Sequence, residues 1–125
     1  MQDQSDDKQK KEPMPADSIQ VVVGPNQYTI KRPNVGQIID IEKMKLRLSG
    51  GQHTQMLYGD LQAQQAFAFT EMVATFTILL PDLQKHLLVG SLLELEQQQA
   101  GQLVQVYEKT VFPWLSALRK AASEG

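Results

Sequence analysis

Apolar residues alternate with polar ones from Ser18 to Lys31, and from Asn34 onward they recur every three or four positions. The first period belongs to a strand with one buried face, the second to a helix with a buried stripe. Ser18–Val23 and Asn26–Lys31 therefore read as two strands joined around Gly24-Pro25-Asn26. Ile19, Val21 and Val23 share one face of the first strand, and Tyr28 and Ile30 supply the matching face of the second. Pro25 is expected at the first corner of the turn and Asn26 at the second. A two-stranded hairpin is marginal in water, so a helix is expected beneath it.

Arg32-Pro33-Asn34 closes the second strand, because the residue before a proline avoids the α region. Asn34 is a good helix N-cap, with Gln37 three positions on as its capping-box partner. This helix is expected to reach about Leu48 and to stop at Ser49-Gly50-Gly51, where glycine takes the left-handed cap. It has two apolar sides: Val35, Ile38, Ile39 and Leu46 on one, Ile41, Met44 and Leu48 on the other. Such a helix is either sandwiched or offers its second side to a partner. Ile41, Met44 and Leu48 are taken as the partner-binding side.

A short turn over Gln52–Tyr58 leads to Asp60, which caps a long helix ending near Leu80. Ala66, Phe69, Val73, Phe76 and Leu80 form its core stripe. Pro81-Asp82 breaks that helix and starts a short one to Leu88. Ala100, Leu103, Val104, Tyr107 and Val111 mark one face of a helix over about 94–112. Pro113 kinks or restarts it, with Trp114, Leu115 and Leu118 inward, and residues 121–125 are expected to fray. The sum is an α+β chain, mostly α: a short N-terminal β-hairpin packed on a bundle of four to five helices, one domain over residues 18–122.

Residues 1–17 have little apolar content and hold five acids against three lysines, so a disordered polar tail is expected there. That tail carries the whole formal charge of −2, because residues 18–125 hold nine acids and nine bases. A neutral body argues against a general nucleic-acid binder and lacks the self-repulsion that keeps copies apart. The absence of cysteine excludes disulfides, thiol nucleophiles and Cys-based zinc sites. Neither His53 nor His86 has a histidine or carboxylate three or four positions on, so no metal and no cofactor is expected. Glycine-rich phosphate cradles and a nucleophile elbow are absent from the sequence.

Glu42 projects among Val35, Ile38, Ile39 and Leu46. It is either a functional acid with a shifted pKa or a rim acid paired with a cation such as Arg32 or Arg119. No second catalytic group lies near it in sequence, and a non-enzymatic protein is expected. Residues 31–48 are locally +3, against −2 over 94–109, which makes Arg32, Lys43, Lys45 and Arg47 a candidate electrostatic contact surface. No aromatic residue interleaves these cations, as stacking on nucleic acid would need. Phe112 and Trp114, on either side of Pro113, are core plugs or exposed anchors for a partner. The apolar stretch from Ala66 to Leu80 contains Glu71 and three threonines and is too short to span a bilayer. With no apolar secretory segment at the N-terminus, a cytoplasmic location is expected.

One order of features has a family likeness. A hairpin leads into Tyr28-Thr29-Ile30-Lys31-Arg32-Pro33-Asn34-Val35-Gly36-Gln37-Ile38 and Ile39-Asp40-Ile41-Glu42, helices follow, and the chain closes on Val106-Tyr107-Glu108-Lys109-Thr110-Val111-Phe112-Pro113-Trp114. Over roughly residues 18–120 this resembles the tail assembly chaperones of long-tailed bacteriophages, in architecture more than in any single motif. The resemblance implies a helper that coats the apolar, helical tape-measure protein while tail-tube subunits polymerise around it in the host cytoplasm. It also permits homo-oligomers, since many copies line one client. A structural connector or adaptor of a virion, or a small nucleic-acid-binding regulator, are the alternatives.

Overall fold

The computed structural model describes residues 15–124, so the expectation of a disordered tail lies, but for its last three residues, outside the described part. Strand β1 (Ser18–Val23) pairs antiparallel with β2 (Asn26–Lys31), in a register running from Ser18 opposite Lys31 to Val23 opposite Asn26. Val21, Tyr28 and Ile30 are buried on the predicted face. The turn is one residue earlier than expected. Gly24 and Pro25 form its corners, and Asn26 already belongs to β2. A two-residue hairpin turn that follows the strand twist needs positive φ at a corner, and Gly24 supplies it at +58°.

Helix α1 (Val35–Leu48) starts on the capping box read from the sequence. The Gln37 amide donates to Asn34 Oδ1 at 2.8 Å, and the Asn34 amide donates to Gln37 Oε1 at 3.0 Å. Its end is closed by Gly50 at φ +64°, with the Gly51 amide donating back to the Leu46 carbonyl at 2.8 Å. Helices α2 (His53–Leu57), α3 (Leu61–Leu79) and α4 (Pro81–His86) follow, α3 capped by Asp60 as predicted. The structure buries more of α3 than one stripe. Met72, Val73, Ala74, Thr75 and Phe76 are all enclosed, because α1, α2, α4 and α5 pack around this helix.

A 3-10 turn at Leu92–Glu94 leads into α5 (Gln97–Val106), a π-helical turn (Tyr107–Val111) and α6 (Phe112–Glu124). Pro113 does not break this run. It has no N–H to donate, and the Phe112 amide reaches five residues back to the Tyr107 carbonyl. The wider turn keeps Leu103, Tyr107, Val111 and Trp114 all buried. α6 stays helical to Glu124, beyond the expected fraying point. The hairpin packs on α5 and the π turn. Residues before it are fastened too: Trp114 Nε1 donates to the Ala16 carbonyl at 2.7 Å, and Arg32 pairs with Asp17 at 2.8 Å. No described helix is long and apolar enough to cross a membrane.

Candidate functional site: a cleft over a buried ion cluster

The two apolar sides of α1 have opposite fates, and the assignment drawn from the sequence is reversed. Ile41 and Met44 are buried and Leu48 is half-buried against the core, so they are not a surface for partners. Val35, Ile38, Ile39 and Leu46 lie outward, each at least 49% exposed. An acid on the neighbouring helix favours this rotation. α3 presents Glu71 to α1, and α1 answers with Lys45, which projects on the Ile41 side, rather than with Glu42, which projects on the other.

Glu71 is the buried acid, and the sequence reading passed it over. Its side chain is 13% exposed. Oε2 accepts from Lys45 Nζ at 3.1 Å and from His53 Nε2 at 2.7 Å. Oε1 accepts from the Tyr107 hydroxyl at 2.8 Å. Four elements thus meet on one carboxylate. Burial by itself would raise the Glu71 pKa, but the bonds from His53, Lys45 and Tyr107 outweigh it and hold the carboxyl below its ordinary value. Burial, together with the Glu71 charge, pushes the Tyr107 hydroxyl well above the ordinary tyrosine value, so it remains a donor. The His53 ring also stacks on Phe67, with centroids 4.3 Å apart and planes 10° from parallel.

Glu42 proves to be the rim acid. Its partner is Lys45, three residues on at 2.7 Å, not Arg32 or Arg119, and its side chain is 56% exposed. Lys45 therefore serves two carboxylates and is withdrawn from the surface. Of the four cations proposed as an electrostatic contact, Lys45 is internal and Arg32 is paired with Asp17, while Lys43 and Arg47 are exposed. The other histidine, His86, shares a hydrogen bond with the Tyr28 hydroxyl at 2.7 Å between α4 and the hairpin. Among the described residues no three His, Asp or Glu side chains are grouped to hold a metal ion.

A cleft of about 680 Å³ opens above this cluster, between α1 and α6. Ile38, Leu57, Phe67, Phe112, Leu115 and Leu118 form most of its apolar lining, and Glu71, Lys45 and Tyr107 also line it. Phe112 is 46% exposed at the cleft, whereas Trp114 is buried, so the aromatic pair around Pro113 divides between surface and core. Phe112 could be assigned to the surface only once the π turn was visible. Glu71 had one signal in the sequence, as the lone charge in an apolar helix. Its partners lie 18, 26 and 36 positions away, beyond any local pattern. Neither a family model, nor a curated protein, nor a solved structure matches the chain.

Proposed function

We propose that this protein is a non-enzymatic tail assembly chaperone of a long-tailed bacteriophage, which holds apolar helical segments of the tape-measure protein and helps recruit tail-tube subunits. The cleft between α1 and α6 carries the reading. Its volume lies within the range of sites that enclose small ligands, so it admits a few side chains from one face of a helix rather than a whole helix. In the ion cluster both oxygens of Glu71 are bonded and Lys45 has two acids, while His53 Nδ1 is buried with no hydrogen-bond partner among the described residues. An apolar side chain can therefore sit over it without stranding a charge. The same bonding of Glu71 speaks against acid–base chemistry. A carboxylate held ionised by three donors is a poor proton carrier near neutral pH. The likeness over residues 18–120 to the tail assembly chaperones supplies the identity of the client and the setting in the host cytoplasm.

Co-expression with a fragment of the tape-measure protein tests this. The wild-type chain is expected to keep the fragment soluble and to copurify with it. Ile38→Glu and Phe112→Glu, both at half-exposed positions, are expected to abolish copurification while leaving the circular dichroism spectrum unchanged. A client that stays insoluble with the wild-type chain, or binds both variants equally well, overturns the reading. Absence of the protein from purified particles distinguishes a chaperone from a structural connector.

A further inference from the structure

The outward side of α1 carries a second surface, which adjoins the cleft at Glu42. Val35, Ile39, Glu42 and Leu46 follow one another at steps of four, three and four residues, which on a helix is a straight stripe of the coiled-coil kind. All four are at least half exposed, and the stripe runs nearly the length of the helix. Lys43 is exposed beside it. We infer that this stripe is a contact between two copies of this chain, packed with their α1 helices antiparallel.

Charge selects the occupant and the direction. In a parallel pair Glu42 would face Glu42 of the second copy, two like charges at the centre of a closed seam. In an antiparallel pair with a two-fold axis between residues 40 and 41, Val35 meets Leu46 of the second copy and Ile39 meets its Glu42. The aliphatic stem of Glu42 then lies on Ile39, and its carboxylate, already held by Lys45 at 2.7 Å, comes within reach of Lys43 across the axis. Every element occurs twice, as an isologous contact requires. The seam is short, one 14-residue helix from each copy, so the association is weak and concentration-dependent rather than obligate. The contact uses residues of α1 alone, of which Glu42 also lines the cleft.

The absence of cysteine from the chain allows a direct test. Under mild oxidation, the double variant Val35→Cys/Leu46→Cys is expected to form crosslinked pairs, and each single variant to stay uncrosslinked, because antiparallel helices bring position 35 to position 46 and to no other cysteine. Sedimentation of the chain alone, over a hundredfold range of concentration, is expected to show monomers passing to dimers. Lys43→Glu should weaken that dimer roughly fivefold or more, and adding Glu42→Lys to it should restore association. Crosslinking by either single variant overturns the antiparallel arrangement. A wild-type chain that stays monomeric throughout overturns the self-contact. If Leu46→Glu instead blocks capture of the tape-measure fragment without changing the sedimentation of the chain alone, the stripe belongs to the client. No client is present in the first two measurements, so their outcome is independent of the chaperone reading.

Discussion

Replacing Glu71 by glutamine removes one charge and leaves nearly the same shape. The carboxylate now accepts from Lys45 at 3.1 Å, His53 at 2.7 Å and Tyr107 at 2.8 Å. In the place of Oε2 an amide oxygen can keep Lys45 and His53, but only as a neutral acceptor, and the NH2 group then faces the Tyr107 hydroxyl, which must turn to accept. Lys45 retains Glu42, so the loss falls short of a fully orphaned ammonium. Hydrogen bonds to charged groups contribute ~1.5–3 kcal/mol each, and breaking one side of a buried pair costs ~3–5 kcal/mol. With the partial rescue by Glu42, Glu71→Gln is expected to lower stability by about 3 kcal/mol at pH 7. At roughly 4 °C per kcal/mol for a domain of this size, the melting temperature should fall by about 12 °C. Urea unfolding followed by the fluorescence of Trp114, the one tryptophan of the chain, measures it. The pH dependence provides the sharper check. The folded carboxyl titrates below its unfolded value, so its stabilisation is complete above the ordinary glutamate pKa of ~4.3 and is lost as pH falls through the lower folded value. The gap between wild type and Glu71→Gln should therefore narrow on acidification below about pH 4.3. A cost under about 0.5 kcal/mol, or a gap that stays constant down to about pH 3, refutes the claim that an ionised Glu71 joins these four elements.

Tyr107→Phe removes one donor to the Glu71 carboxylate and should cost about 1.5–3 kcal/mol. It should also move the acid limb of the stability curve to higher pH, since Glu71 loses a bond that lowers its pKa. Asn34→Ala deletes the side-chain half of the α1 capping box, the acceptor of the Gln37 amide, and should cost about 1 kcal/mol, read by thermal melting. Leu88 sits at φ +61° just after α4, where its amide donates to the Lys85 carbonyl and the Val89 amide to the Gln84 carbonyl, a helix end that normally employs glycine. The side chain is 91% exposed and contributes no packing. Leu88→Gly is therefore expected to raise stability by up to about 1 kcal/mol, and a loss on equilibrium unfolding would count against strain at this residue.

The features legible in the sequence are those set by neighbouring residues. Asn34 with Gln37, Asp60, Gly50, and the alternation of Ile19, Val21 and Val23 each act within a few positions, and each stands where the pattern placed it. The choice between the two sides of α1 is of another kind. Ile41, Met44 and Leu48 are no more apolar than Val35, Ile38, Ile39 and Leu46, so hydrophobic burial alone leaves the rotation of the helix undecided. An acid 26 residues past Lys45 favours one of the two sides. Had α3 carried leucine at position 71, either side could face inward, and burying Lys45 would be the less favourable outcome. With Glu71 there, turning the Val35 side inward would set Glu42 against Glu71, two buried acids side by side. The observed rotation instead gives Glu71 its cation, keeps Glu42 at the rim on the same lysine, and leaves the Val35–Leu46 stripe outside. Both surfaces of interest follow from that one pairing: the cleft whose lining includes Lys45 and Glu71, and the apolar stripe that α1 could not bury.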